Sequence, residues 1–340
     1  MTNSTVLAPL ARRVSRAAVV LSACFSLAAA VHADGMNPGS LLIFPEYDST
    51  TGRDTLITVT NTSSTLTVSI TYEYVHGNAP NMCLQSDRHA TLTPNDTLTV
   101  LVSNHLGAAR PGFLYVFASN ASGSVALSQN VLIGDDLVLN GTNSLQYSIA
   151  PLVYRALTPP GTDTDVDHDG IRDLNGMEYE PAPGRILIPR FMGQSSSHAS
   201  DLILIGLTGG AKFTTIADFV IFNDNEVPLS AQYSFPCWTK VPLSDISAVF
   251  SRTFLAQNTD DNPQEILGQS TYESGWMIVE GALTQSVNTA FNDPAILAVL
   301  VEKTLTGSLA TTRSAAEIPF IQGRRQNGAL WPLSNNGMAP

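Results

Sequence analysis

Seven of the chain's 29 acidic residues fall within positions 163–180. They are Asp163, Asp165, Asp167, Asp169, Asp173, Glu178 and Glu180, the first four at every second position. Carboxylates this close repel one another unless solvent or a cation separates them. Hard oxygen ligands at this spacing suit Ca²⁺, and Gly170 allows the sharp turn that folds a loop around an ion. A solvated acidic linker is the competing reading, and Pro159, Pro160, Pro181 and Pro183 on either side are linker-like. If an ion is held, its role is structural, because a full cage of oxygen ligands leaves no open position for catalysis.

The run Asp165-Val166-Asp167-His168-Asp169-Gly170 resembles the EF-hand-like DxDxDG calcium loops of bacterial extracellular proteins and of thrombospondin type 3 repeats. The resemblance is confined to residues 163–178 and extends to no other part of the chain. It implies Asp165, Asp167 and Asp169 as the first three ligands and a backbone carbonyl from Ile171. Asp173 would then bind directly or through water. The departure is at the twelfth loop position, where Gly176 stands in place of the bidentate acid. Glu178 or Asn175 would have to substitute for it.

Other chemistry is thinly represented. There is no GxSxG elbow, HExxH, GxGxxG or Walker loop, so a non-enzymatic role is expected. Glycoside hydrolysis needs paired carboxylates, and Glu280 is the one weak catalytic candidate. It shares a strand face with Trp276 and Ile278, where an earlier segment carries Phe113, Tyr115 and Phe117. An acid in place of an aromatic reads as a cleft carboxylate or as an exposed strand end. Tyr72 and Tyr74 flank Glu73 and read as a sugar platform or as core aromatics. Asn61, Asn95, Asn120 and Asn140 each begin an N-x-Ser/Thr sequence, which matters only in a glycosylating host.

The elements that must position these residues are short strands. Leu66, Val68, Ile70, Tyr72 and Tyr74 alternate with Thr67, Ser69, Thr71 and Glu73, and Leu229, Ala231, Tyr233 and Phe235 repeat the pattern. Leu42-Ile43-Phe44-Pro45-Glu46-Tyr47 parallels Ile186-Leu187-Ile188-Pro189-Arg190-Phe191. Asp54-Thr55-Leu56-Ile57 parallels Asp201-Leu202-Ile203-Leu204, and Gly112–Phe117 parallels Gly275–Glu280, in the same order. The expected fold is all-β: two tandem antiparallel β-sandwiches, Ig-like or jelly-roll-like, arising by internal duplication. The domains are expected at 34–150 and 185–306, with an acidic junction at 151–184 and a C-terminal segment at 307–340. Each copy has one cysteine, Cys83 and Cys237. If the copies pack about a pseudo-twofold axis, the two face each other and form a disulfide; otherwise they are two buried thiols.

Composition bounds the role. A net charge of −12, with Lys212, Lys240 and Lys303 the only lysines, argues against nucleic-acid binding. Arg12, Arg13 and Arg16 precede an apolar run from Ala17 to Val31 that ends at a small-residue site, Val31-His32-Ala33. Residues 1–33 read as a secretory signal peptide, with a lipoprotein anchored at Cys24 as the less favoured variant and no transmembrane segment in the mature chain. The destination would be periplasm, cell surface or medium. The leading expectation is an exported, calcium-stabilised protein with a binding or structural role at a surface, in a matrix or in the periplasm. A carbohydrate-binding module or glycoside-active enzyme is the alternative, with a polysaccharide or another surface protein as partner. A filament or surface-array subunit is the third reading.

Overall fold

Strands with apolar residues on both faces lie at the centre of this protein, and strands that alternate lie further out. The computed structural model describes residues 37–79, 82–142, 145–270, 272–305, 313–317 and 319–330. The expected signal peptide, with Cys24 inside it, lies outside the described residues. The first set of strands is β1 (Leu41–Asp48), β2 (Arg53–Asn61), β3 (Val68–His76), β4 (Gln85–Leu92), β5 (Thr97–Leu101), β6 (Pro111–Ser119), β7 (Leu132–Asn140), β8 (Leu145–Tyr147) and β9 (Leu152–Tyr154). One-turn helix α1 (Val102–Leu106) links β5 to β6. After β10 (Arg172–Leu174) comes the second set: β11 (Ala182–Met192), β12 (His198–Gly206), β13 (Thr214–Phe222), β14 (Leu229–Phe235) and β15 (Trp238–Pro242). Helix α2 (Leu243–Ile246) then precedes β16 (Ser274–Gln285), β17 (Ala290–Asn292), β18 (Ile296–Thr304), β19 (Arg313–Glu317) and β20 (Phe320–Arg325), and β21 (Gly328–Leu330) follows.

The protein is all-β, with antiparallel pairing throughout the sheets. One sheet has the order β4-β3-β6-β1-β9 and another β14-β13-β16-β11-β20, with β17 added to β16. A third has the order β5-β2-β7-β8 and a fourth β15-β12-β18-β19. Exchanging β1–β6 for β11–β16, and β7, β8 and β9 for β18, β19 and β20, converts each order into its counterpart. The registers also match: Phe44 faces Leu114 and Tyr47 faces Gly112, while Ile188 faces Met277 and Phe191 faces Gly275. Both first strands shift register between these pairs, where Pro45-Glu46 and Pro189-Arg190 bulge. Proline has no N–H to give to a ladder, so it is tolerated at such a bulge.

Three apolar layers are formed by buried residues of the four larger sheets. Leu42, Phe44, Val59 and Leu132 belong to the first layer, and Ile188, Leu204, Phe219 and Leu300 to the last. The middle layer joins the two sets, with Leu41, Ile43, Tyr115 and Phe117 packed with Ile203, Ile205, Leu297 and Val299. Alternate residues of β1, β12 and β18 therefore serve different layers. This is why they read as continuous runs such as Ile296–Val301, whereas β2 and β13 alternate. Leu66, expected on the β3 face, lies before the strand and is exposed. Residues 313–330, expected as a segment apart, supply β19, β20 and β21.

Candidate functional site

The acidic segment is held at both ends before its carboxylates are placed. At its start Thr164 is buried, its N–H donating to the Ala126 carbonyl at 3.0 Å. Near its end β10 pairs with β21, Asp173 opposite Ala329. Arg172 reaches across the middle layer, donating to Glu73 Oε1 at 2.6 Å with its guanidinium 4.1 Å from the Phe117 ring centroid. Buried Tyr179 closes the loop, its hydroxyl 3.2 Å from that of Thr164. The segment is therefore not the solvated linker of the competing reading but a loop anchored on the first set of strands and on β21.

Between these anchors the backbone turns back on itself. His168 and Gly170 adopt left-handed φ values of 63° and 81°, a region glycine enters without steric cost. The Gly170 N–H donates to Asp165 Oδ2 at 2.9 Å and the Ile171 N–H to Asp169 Oδ1 at 2.7 Å. Glu178 Oε1 accepts from the Val166 N–H at 2.7 Å and its Oε2 from the Asp173 N–H at 3.0 Å. Asn175 caps the following turn, accepting from the Met177 N–H at 2.7 Å. Glu178, two positions beyond Gly176, is 1% exposed and turned into the loop by its two hydrogen bonds.

Two groups of carboxylate oxygens result, each within 4.8 Å: Asp165 with Asp167 and Glu178, and Asp167 with Asp169 and Asp173. All five predicted side-chain ligands are brought together, with Asp167 common to both groups. Ile171, the predicted carbonyl ligand, follows Gly170 with its side chain buried. No Lys or Arg pairs with these carboxylates among the described residues. Burial, then Glu178, Asp169 and Asp167, pushes the Asp173 carboxyl up to about 7. Burial likewise raises Glu178 and Asp169. Asp173 is 4% exposed, and its Oδ1 is buried without a hydrogen-bond partner. Buried acceptors are ordinarily satisfied, and a divalent cation would satisfy this one and offset the mutual repulsion.

The remaining predicted residues fall elsewhere. Cys83 and Cys237 are bonded, with Cα atoms 5.8 Å apart. They are not at matching positions, since Cys83 precedes β4 and Cys237 follows β14. A twofold axis is not what brings them together: the β4-β3-β6-β1-β9 sheet packs on the β15-β12-β18-β19 sheet, two faces that are not counterparts. Beside the disulfide, Trp238 Nε1 donates to the Pro45 carbonyl at 2.8 Å and Lys240 to Glu46 Oε1 at 2.7 Å.

Glu280 pairs with Arg185 at 3.0 Å and lies 3.8 Å from Arg325. It matches Phe117, and Arg185 matches Leu41. Where the first set has the buried apolar pair Leu41–Phe117, the second has an ion pair on an outward face. Tyr72 and Tyr74 are fully buried, which removes them as a sugar platform. The Glu73–Arg172 pair was not evident from the sequence, because the partners are 99 positions apart.

No family model and no curated protein matches the chain. Among solved structures, it is similar to the cowpea mosaic virus top component, naturally occurring empty particles. That likeness has 8% identity, covers 79% of this chain and 88% of that one, and has a TM-score of 0.15. A similarity this weak carries no argument about fold or function.

Proposed function

We propose that this is an exported protein of two duplicated β-sandwiches, stabilised by a structural Ca²⁺ in the 163–178 loop and serving a binding or scaffolding role outside the cytoplasm. The buried, unpartnered Asp173 oxygen, set among four further carboxylates, carries the calcium assignment. The duplication is supported by the shared strand orders and the paired bulges. Export is supported by the N-terminal apolar run and by a disulfide, a bond favoured in oxidising compartments. Among the described residues no helix is long and apolar enough to cross a membrane.

The loop links Arg172, fixed to the first set of strands, to β11, which opens the second. An ion there would rigidify the connection rather than react with anything. Thermal unfolding with Ca²⁺ and with chelator tests this reading. A ligand at about 100 times its Kd stabilises the native state by about 2.7 kcal/mol, a rise of roughly 5–10 °C in Tm. Asp173→Asn is expected to abolish most of that rise while melting in chelator no lower than the wild type. An unchanged wild-type Tm on adding Ca²⁺ would overturn the assignment.

A further inference from the structure

The two sets of strands differ most in one connection. In the first set α1 reaches β6 through residues 107–110, whereas in the second α2 reaches β16 through residues 247–273. The longer connection contains a 3-10 turn (Ala248–Phe250) and two one-turn helices, α3 (Arg252–Leu255) and α4 (Pro263–Ile266), and encloses a cleft of about 270 Å³ against β13 and β16. One wall is aromatic: Phe222 and Trp276 stack with ring centroids 4.8 Å apart and planes 15° from parallel, and Trp276 remains 37% exposed. Opposite in character is Glu273, which is 5% exposed. Its Oε1 accepts from the Ser274 N–H at 3.0 Å, and its Oε2 is buried without a hydrogen-bond partner. Thr259 lies near enough to offset the burial of Glu273 in part, but its hydroxyl proton goes to Asp224.

Asp224 and Asp261 line the same cleft, and its one cationic lining residue, Arg190, is ion-paired with Glu302. The site therefore combines an accessible aromatic face with an excess of negative charge and a buried acceptor that lacks a donor. Its three carboxylates do not form a convergent group like those of the acidic loop, so they are poorly placed to share one inorganic ion. A neutral sugar could stack on the tryptophan but would leave the charge excess uncompensated. We propose that the cleft binds a primary alkylammonium, as found on a lysine side chain or a free diamine. Its N–H groups would donate to Glu273 Oε2, and its charge and methylene stem would lie along Trp276.

Calorimetric titration of the folded chain in calcium-containing buffer tests the proposal with two probes, 1,5-diaminopentane and Nα-acetyl-lysine amide. Saturable 1:1 binding of at least one is expected, weakened at least 10-fold by Glu273→Gln and by Trp276→Ala and weakened by added salt. The tighter probe identifies the source, free amine or side chain. Asp135→Asn, on a different sheet, should leave Kd unchanged. If Glu273→Gln does not fold, Asp261→Asn at an exposed position supplies the second reading, with a Kd raised severalfold. Absence of saturable binding by both amines overturns the proposal. So does equal affinity in the folded cleft variants, or binding of N-acetylglucosamine in place of the amines.

Discussion

At the scale of single residues, burial without compensation governs the protein's titration behaviour. His76 is buried with its Nδ1 2.9 Å from the Tyr47 hydroxyl and its Nε2 3.0 Å from that of Ser86. Burial, reinforced by the charge of Arg110, lowers its pKa to about 4. A histidine whose folded pKa lies below its unfolded value takes up its proton more readily in the unfolded chain. Its contribution to stability is therefore intact above pH ~6.5 and is lost as pH falls towards about 4. The stability difference between wild type and His76→Gln should shrink by up to about 3 kcal/mol between pH 7.5 and pH 4, measured by urea denaturation. A difference that stays constant across that window would show that His76 titrates normally. Asp136 acts in the opposite direction: burial raises its carboxyl well above the ordinary range, so its ionisation opposes folding as pH rises. None of this was legible in the sequence, because Tyr47, Ser86 and Arg110 reach His76 only once their segments have met.

At the scale of elements, the paired bulges and the glycines opposite them set the approach of neighbouring strands. A Cβ built on Gly112 would meet the Val75 carbonyl oxygen at 1.9 Å. On Gly275, its counterpart, it would meet the Phe222 carbonyl oxygen at 2.6 Å and the Phe191 ring at 2.9 Å. Backbone atoms within a ladder cannot give way as a side chain can. Gly112→Ala should therefore destabilise by about 1–3 kcal/mol, and Gly275→Ala by less, as read from denaturant midpoints. Equal or negligible effects would mean that the strands are free to separate there. The sequence showed both glycines at matching places but not the reason, because the crowding comes from strands that are distant in the chain. The bulge also turns Glu46 towards Lys240 of the second set, and Glu46 accepts from the Tyr147 hydroxyl of β8 at 2.6 Å.

At the scale of the whole molecule, one face of each strand set is covered and its counterpart is left outward, and the residues differ accordingly. Leu41 and Phe117 in the middle layer correspond to Arg185 and Glu280 outside it, and Ile205 and Leu297 correspond to Thr58 and Asp135. The Cys83–Cys237 bond ties the two sets across a sequence separation of 154. Loop-closure entropy for so long a loop gives about 5 kcal/mol, and removing native disulfides typically costs about 2–5 kcal/mol. The double variant Cys83→Ser, Cys237→Ser should lose stability within that range yet stay folded, because the middle layer and the Trp238–Pro45 bond persist. Separate melting of the two sets in that variant would show that the disulfide, not the packing, holds them together.

By itself, the sequence determined what depends on neighbours along the chain. Period-two alternation specified strands, the Pro-bulge and Gly-aromatic segments recurred in the same order, and alternating aspartates ending in Asp169-Gly170 marked the loop. Tertiary structure alone decided how the two sets meet. Two unlike faces pack together, so the cysteines that bond are not counterparts, and Arg172 of the loop finds Glu73 on a distant strand. It also decided that Glu178 completes the carboxylate cluster and that Glu280 belongs to a surface ion pair. The physical reason is the same throughout. Turn and strand preferences act over a few residues, whereas burial, charge pairing and register depend on segments that meet only once the chain has folded.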